Sequence, residues 1–372
     1  MVEIEEKYKN LSLKEKVGQM YFIGLPGDSY DDGARRLIEE IAPGGVCLFA
    51  RNIKKADRTR ELLDTLRSEI PFEPFLSLDQ EGGLVDRLRR IVTPMPSVQE
   101  ISADGNVENA KMLAEITAHV VRILGFNMNF APVIDVTDEA RQNFVMNTQC
   151  RTFGCTLEDV VEFTTAYLDT LQNAGCLGCL KHFPGIGAVE FDPHNELPTV
   201  NLDRDQLFSF DLKPYVEHFA RGNVHAIMTG HTTFPPFDLQ ERDSSGKLLP
   251  SSLSKNIVTG LLRDELHFRG LALTDDLEMG AVVENYGIGE ASKMAVDAGN
   301  DFVLVCNDPE AIIESFNAVY KAVVNGEISE ERIDHSLERI FKVRDLLSPP
   351  PEFEEQKISS LSDQIDDLKR SL

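Results

Sequence analysis

Ionisable side chains stand at the ends of several short apolar runs in this sequence. Six of these ends carry carboxylate, ammonium, imidazole or amide groups: Asp79, Asp135, Lys181 with His182, His231, Asp275 with Asp276, and Asn307. Such groups transfer protons and form covalent intermediates in enzymes. A chance arrangement would scatter them through loops and helix faces, so their position at the ends of the runs indicates an enzyme.

Asp275 ends the run LALTD at residues 271–275. A rigid carboxylate at a strand end can act as a nucleophile or stabilise developing positive charge. An Asp here could instead cap the helix that follows. Asp276 suits that capping role better, because it is one residue closer to the segment LEMGAVV. We therefore predict that Asp275 is the reacting carboxylate.

The stretch KHFPGIGAVEFDPH, residues 181–194, is the most distinctive part of the sequence. Gly185 and Gly187 permit positive φ, so we expect a mobile loop that folds over a bound substrate. Asp192 and His194 lie two residues apart, within reach of a mutual hydrogen bond. A carboxylate beside an imidazole fixes the tautomer of the ring and raises its basicity, which suits proton transfer near neutral pH. Taken alone, this triplet is more typical of a surface Asx turn.

Eight apolar runs precede or contain these polar groups and are predicted strands. They cover residues 20–24, 45–50, 75–79, 127–135, 178–183, 225–231, 271–275 and 301–306. The runs are continuous rather than alternating, which is typical of strands buried on both faces.

Helical patterns fill the intervals between the runs, among them residues 33–41, 109–124, 156–171, 252–266 and 311–324. Strands alternating with helices indicate a parallel sheet, and eight strands close a (β/α)8 barrel. The alternative is a doubly wound open sheet, but no glycine-rich phosphate-binding motif follows the first strand. We predict an α/β fold with a single TIM-type barrel over residues 1–348, whose active site lies at the carboxyl ends of the strands.

Residues 349–372 form a predicted amphipathic helical tail that begins with three prolines. Its apolar residues are spaced by three and four positions: Ile358, Leu361, Ile365, Leu368 and Leu372. Two heptads are too few for a separate coiled coil, so we predict a helix packed on the outside of the barrel. The alternative to this monomer is a weak dimer that forms through the tail.

The chain has 37 Lys and Arg against 62 Asp and Glu, which gives a formal net charge of −25. Phosphate recognition needs clustered cations, so we expect neither nucleic acid nor an anionic membrane as a partner. No window approaches about 18 consecutive apolar residues, and the charged N-terminus lacks the apolar core of a signal peptide. We therefore expect a cytoplasmic enzyme.

The six cysteines are typical of a reducing compartment, where free thiols pack as small hydrophobes. Cys176 and Cys179 form a C-x-x-C motif that could serve redox chemistry or half of a zinc site. No second C-x-x-C or paired histidines supply the other ligands, so we predict a structural role, no metal and no cofactor.

The chain resembles glycoside hydrolase family 3 from about residue 11 to residue 347, and within it the single-barrel β-N-acetylglucosaminidases of cell-wall recycling. The resemblance lies in the segments APGGVCLFARN, SLDQEGGLVDRL, NFAPVIDV, CRTFG, LKHFPGIGAVEFDPHNELP, IMTGHTTFPPFD and TDDLEM. The long segment around residues 181–198 and TDDLEM are the most specific.

The resemblance implies a retaining exo-glycosidase that removes terminal N-acetyl-β-glucosamine from a small carbohydrate or muropeptide substrate. The family's aspartate nucleophile falls on Asp275, and its acid/base pair falls on His194 and Asp192. Its sugar contacts fall on the residues Asp79, Arg87, Arg151, Lys181 and His182. A retaining mechanism needs a nucleophile and a second group that first donates and then accepts a proton, and His194 has the chemistry for both.

Two positions depart from the family pattern. Ile186 stands where the family usually has His, and Pro193 stands where it usually has a small Ser. The first removes a polar group near the base of the loop, and the second stiffens the chain beside His194. Both leave the catalytic residue types in place, so we expect an effect on loop closure or substrate preference.

Other functions are compatible with some of the same residues. A family-related β-glycoside phosphorylase or a β-glucosidase would use the same residues. A metal-dependent barrel hydrolase could use Asp79, His182, His231 and Asp275 as ligands, but Lys181 would repel the ion. A Schiff-base aldolase could use Lys181. A sugar-binding protein without activity would be expected to lack the catalytic residue types.

Overall fold

The computed structural model describes residues 2–190 and 197–372. Within them, nine strand segments form one sheet: β1 Tyr21–Gly24, β2 Gly45–Cys47, β3 Phe75–Leu78, β4 Met128–Asn129, β5 Leu177–Gly178, β6 Leu180–Phe183, β7 Ala226–Thr229, β8 Leu271–Asp276 and β9 Phe302–Val305. All neighbouring pairs are parallel, in the order β5-β4-β3-β2-β1-β9-β8-β7-β6.

The two ends of this sheet meet and close it into a barrel. The N–H of Cys179 donates to the carbonyl of Ala131 at 3.0 Å, and the N–H of Ile134 donates to that of Lys181 at 2.9 Å. The predicted strand 178–183 therefore comprises the last residue of β5 and the whole of β6. Cys179 lies between these two segments. Pro132 interrupts the predicted strand 127–135 because it has no N–H to donate to the ladder. The eight-stranded TIM-type barrel predicted from the sequence is thus confirmed.

Helices surround the barrel in the intervals between strands. The α-helices are α1 Val2–Tyr8, α2 Leu13–Gly18, α3 Asp32–Ile41, α4 Ala56–Glu69, α5 Val98–Ser102, α6 Val107–Leu124, α7 Val145–Thr148, α8 Leu157–Asn173, α9 Arg204–Gln206, α10 Lys213–Arg221, α11 Gly280–Tyr286, α12 Ile288–Ala298, α13 Pro309–Val324, α14 Glu330–Arg344 and α15 Glu355–Ser371. Short 3₁₀ turns cover Glu139–Arg141 and Ser251–Leu253, and π-helical segments cover Leu207–Asp211 and Asn256–Glu265.

Aromatic rings fill the amino-terminal half of the barrel. The ring of Phe22 lies 4.8 Å from that of Phe302, 5.5 Å from that of Phe130 and 6.2 Å from that of Phe75, measured between centroids. Gly45 makes room for Phe22, since a Cβ there would lie 2.4 Å from the ring. The barrel is therefore a packed core at this end, and polar groups can gather only at the other.

The C-terminal tail is the helix α15, which packs against α6. Ile358, Leu361, Ile365 and Leu368 are buried and belong to the main core, whereas Leu372 is exposed. The apolar face is thus covered by the chain's own barrel. A dimer through the tail stays a prediction.

The cysteines Cys176 and Cys179 of the C-x-x-C motif are both buried free thiols. Burial raises the pKa of Cys176 to about 12. A thiol that stays protonated is a poor nucleophile, which agrees with the structural role predicted for the motif. In the part of the chain that the structure describes, no helix has the length and apolar character needed to span a bilayer.

A buried carboxylate ties the outer helices to the barrel. Asp301, at the start of β9, binds Arg263 at 2.7 Å and accepts hydrogen bonds from Arg339 at 2.9 Å and Ser336 at 2.8 Å. It also accepts the N–H of Ala272 in β8 at 3.0 Å. Burial alone would raise the pKa of Asp301, but Arg339 and Arg263 hold it below the ordinary value.

Asp301→Ala is expected to lower the free energy of unfolding by about 3–5 kcal/mol, because the buried Arg263 and the half-buried Arg339 lose their counter-charge. Asp297→Ala is the control, since Asp297 is exposed and pairs with Lys255 at 3.5 Å. The control should cost less than about 1 kcal/mol. Urea denaturation of both variants measures the difference, and equal midpoints would contradict the proposed anchoring role of Asp301.

Candidate active site

The carboxyl ends of the strands carry a buried charge network. Lys181 in β6 places its Nζ atom 2.7 Å from Asp79 Oδ1 and 2.7 Å from Glu81 Oε1. Burial alone would lower the pKa of Lys181, but the two carboxylates raise it above its ordinary value. Lys181 is therefore a permanent ammonium group, which disfavours Schiff-base chemistry because that needs the free amine.

Glu81 is the member of this network that sequence reasoning missed. Arg151 binds it with two hydrogen bonds, from Nε at 2.8 Å and from Nη2 at 2.9 Å. Burial alone would raise the pKa of Glu81, but Lys181 and Arg151 hold it well below the usual range. Arg151 was predicted to contact a sugar. Two of its N–H groups instead donate to Glu81 and orient that carboxylate towards Lys181.

The loop after β3, residues 79–97 and here called the β3 loop, also carries Arg87. Its Nη2 atom lies 3.7 Å from Asp79 Oδ2, and its guanidinium stacks on Phe49 at 5.8 Å from the ring centroid. Within the described residues, Nε of Arg87 has no hydrogen-bond partner. Arg87 therefore retains donors for a ligand, as a sugar-binding residue requires.

Asp135 fixes both His182 and the base of the following loop. Its Oδ2 atom lies 2.9 Å from His182 Nδ1, and its Oδ1 atom accepts the backbone N–H of Ile186 at 2.8 Å. With Nδ1 donating to Asp135, Nε2 of His182 is left to accept a hydrogen bond from a ligand. The contact of residue 186 uses the backbone, so Ile186 makes it despite its apolar side chain.

Gly187 is needed for close packing. A Cβ at this position would lie 1.9 Å from the carbonyl of Val136, and Gly185 has a φ of 127°. The sequence predicted both glycines as sources of mobility. At Gly187 the structure supplies a different reason, because no other residue fits against the neighbouring backbone.

Asp275 lies next to the last residue of β8 and is partly buried. It accepts the backbone N–H of Asp276 at 2.8 Å. Burial alone would raise the pKa of Asp275, but His182 and His231 in their protonated forms and the ammonium group of Lys181 lower it below the ordinary value. The carboxylate is therefore ionised at neutral pH, as a nucleophile must be.

Asp276 has a different environment, although it is the next residue. Burial raises its pKa to about 7. Its Oδ1 atom accepts the N–H of Glu278 at 3.1 Å. Helix α11 begins only at Gly280, without a side-chain cap. The prediction that Asp276 caps this helix is thus wrong, because a turn intervenes and takes up the hydrogen bond.

His231 holds the backbone of β8 where it leaves the barrel. Its Nε2 atom lies 3.1 Å from the carbonyl oxygen of Asp276, and its Nδ1 atom lies 2.7 Å from Ser252 Oγ. Burial lowers the pKa of His231, so the ring is neutral near pH 7. A neutral ring satisfies both contacts when Nε2 donates and Nδ1 accepts. His231 thereby fixes the peptide group that follows Asp276, one residue beyond Asp275.

The structure brings together most of the residues predicted for the site. Asp79 pairs with Arg87 and Lys181, and Glu81 links Lys181 to Arg151, so these residues share one ion-pair network. Lys181 and His182 also lie close enough to Asp275 to shift its pKa. The remaining predicted residues, Asp192 and His194, lie outside the described residues, as does Pro193. Asn307 is exposed, and its backbone N–H donates to Glu278. Within residues 2–190 and 197–372, no three or more His, Cys, Asp or Glu side chains form a group that could hold a metal ion.

Comparisons with known proteins agree with the barrel fold. Residues 12–343 match the glycosyl hydrolase family 3 N-terminal domain. The chain is 32% identical over 312 residues to the β-hexosaminidase of Xanthomonas campestris, covering 82% of this chain and 89% of the relative. It is 31% identical over 296 residues to the β-hexosaminidase of Haemophilus influenzae, covering 78% and 80%. A family 3 β-N-acetylglucosaminidase from a Paenibacillus species superposes with a TM-score of 0.85 at 36% identity, covering 96% of this chain and 69% of that one.

Proposed function

The chain belongs to glycosyl hydrolase family 3, and we propose that it removes terminal N-acetyl-β-D-glucosamine with retention of configuration. One observation carries this proposal. An ionised Asp275 stands at the end of β8, beside the cations and carboxylates at the ends of β3 and β6. The names of the relatives in two bacterial species and the Paenibacillus structure support the choice of sugar.

In the first step, Asp275 attacks the anomeric carbon and the bond from that carbon to the leaving oxygen breaks. His194, oriented by Asp192, donates a proton to the leaving oxygen. In the second step, water attacks the anomeric carbon from the opposite side to Asp275. His194 takes a proton from the water, and the bond to Asp275 breaks. Two inversions restore the β configuration.

The sugar hydroxyls are proposed to bind where donors and acceptors alternate. Asp79 accepts hydrogen bonds, while Arg87 and Lys181 donate them. His182, held by Asp135, adds one further polar nitrogen. Arg151 acts on this arrangement through its two bonds to Glu81, and so it orients the site more than it contacts the sugar.

The proposed substrates are small cell-wall fragments, such as muropeptides, in the cytoplasm. Hydrolysis without a cofactor or metal suits this assignment, since Asp275 and His194 supply the nucleophile and the proton. The remaining candidates, phosphorolysis of a β-glycoside and preference for β-glucosides, are separated by the product and by the sugar.

A panel of p-nitrophenyl glycosides tests this function. We expect the N-acetyl-β-glucosaminide to be cleaved with the highest kcat/KM, with free β-N-acetylglucosamine as the first product seen by NMR. The rate and the product should be the same with and without phosphate, and after prolonged dialysis against EDTA. Formation of a sugar phosphate would instead identify a phosphorylase, a faster reaction with the β-glucoside a glucosidase, and loss of activity restored by zinc a metal hydrolase.

A further inference from the structure

The C-terminal helix α15 contacts the β3 loop through polar side chains. Thr93 donates its backbone N–H to Ser362 Oγ at 3.2 Å and its hydroxyl to Asp366 Oδ2 at 3.3 Å. Lys369 Nζ donates to the carbonyl of Pro94 at 3.3 Å. Spacings of four and three residues place these three side chains on the same side of the helix. Two consecutive loop residues are thus held by three helix residues.

The next residue, Met95, connects Thr93 and Pro94 to the interior of the β3 loop. It is buried, and its backbone N–H donates to Asp86 Oδ2 at 3.1 Å. Its carbonyl accepts the N–H of Gly83 at 3.1 Å, and its sulfur accepts a hydrogen bond from Gln80 Nε2 at 3.2 Å. The two ends of the β3 loop are therefore joined at Met95.

Gln80 connects Met95 to the residues that are proposed to bind the sugar. Its Oε1 atom accepts the backbone N–H of Arg87 at 2.9 Å, and its Nε2 atom donates to Asp86 Oδ1 at 3.0 Å. In the chain it lies between Asp79 and Glu81, the two carboxylates that bind Lys181. A shift at residues 93–94 can thus reach the charge network through Met95 and Gln80.

We propose that α15 is a positioning element of the glycoside site. Ser362, Asp366 and Lys369 hold the β3 loop so that Arg87 keeps the geometry in which it binds the sugar. The inference rests on the function proposed above. The helix lies beyond residues 12–343, the stretch that matches the family, so this support comes from outside the matched domain.

The test is the double variant Ser362→Ala/Asp366→Ala, compared with Ser359→Ala/Asp363→Ala. The control changes the same residue types with the same spacing on the same helix, at two exposed positions. Both pairs therefore alter helix propensity equally. We expect KM for p-nitrophenyl N-acetyl-β-glucosaminide to rise about threefold to tenfold in the first variant only, with kcat changed less than about twofold.

A double-mutant cycle tests whether α15 changes KM by acting on Arg87. In an Arg87→Ala background, the same tail substitutions should change KM by less than about twofold, because the group that they position is gone. An equal rise in KM with and without Arg87 would overturn the proposal. If the double variant does not fold, Ser362→Ala and Asp366→Asn are compared singly with Ser359→Ala and Asp363→Asn.

Hydrogen–deuterium exchange of residues 80–97 separates this inference from the proposed function. Faster exchange there in the tail variant than in its control supports the positioning role even for an enzyme with another substrate. Unchanged exchange and unchanged KM in an active enzyme refute the positioning role and leave the glycosidase intact. A wild-type protein inactive on every glycoside refutes the proposed function alone.

Discussion

Asp275→Ala is expected to lower kcat for every glycoside by about 10⁴-fold or more, including glycosides with activated aryl leaving groups. No covalent intermediate can form without the carboxylate, however good the leaving group is. Asp276→Asn is the control, because its side chain accepts the N–H of Glu278 and an amide oxygen can do the same. Steady-state kinetics of the two variants compare adjacent carboxyl groups directly. If Asp276→Asn were inactive and Asp275→Ala remained active, the nucleophile would be Asp276 instead of Asp275.

Azide gives this experiment a stereochemical readout. In the Asp275→Ala variant, azide can enter the space left by the carboxylate and displace an activated leaving group once. The product should then be the α-glycosyl azide, with inverted configuration. NMR of the product assigns the face from which the nucleophile attacks, and a β-azide here would contradict the role of Asp275.

His194→Ala is expected to slow the cleavage of natural glycosides by about 10²- to 10⁴-fold, because their poor leaving groups need a proton. An activated aryl glycoside should still form the covalent intermediate, which then accumulates since water is no longer activated. Azide needs no deprotonation, so it should restore turnover and give the β-glycosyl azide, opposite to the product of Asp275→Ala. A burst of p-nitrophenol followed by slow turnover measures the accumulation.

Asp192→Ala is the companion variant. His194 remains but loses its orienting carboxylate, so activity on natural glycosides should lie between those of the wild type and His194→Ala. Full activity of His194→Ala on natural glycosides would refute the acid/base assignment and leave the barrel and the nucleophile unaffected.

The mouth of the barrel could be predicted because its residues follow apolar strands. Lys181 and Asp275 lie within or beside runs whose burial on both faces is readable from composition, and parallel strands bring their carboxyl ends to one rim. The same reasoning placed Asp79 there. Prediction worked where the backbone direction alone decides the position of a side chain.

Glu81 escaped prediction because it lies in a loop. Two glycines with positive φ follow it, Gly82 at 98° and Gly83 at 57°, and they allow the chain to turn back after Glu81. The pair of glycines in DQEGG was a visible signal for this turn.

The predicted helix at 252–266 is instead a 3₁₀ turn and a π-helical segment, in which Leu266 donates to Leu261, five residues earlier. Apolar periodicity does not separate these helix types, whose hydrogen bonds differ by one residue.

The pairing of β1 with β9 has a consequence for how the chain is made. Tyr21 lies opposite Val303, so the ring closes only after more than three quarters of the 372 residues have left the ribosome. Until then, β1 and the strand made last each leave one edge unpaired, and such edges can join strands of other nascent chains. Contacts this distant in sequence are also slow to form, since loop closure costs entropy before it is rewarded. The growing polypeptide is therefore vulnerable to aggregation until β9 has been made, because several strands already exist and none of them can complete the ring.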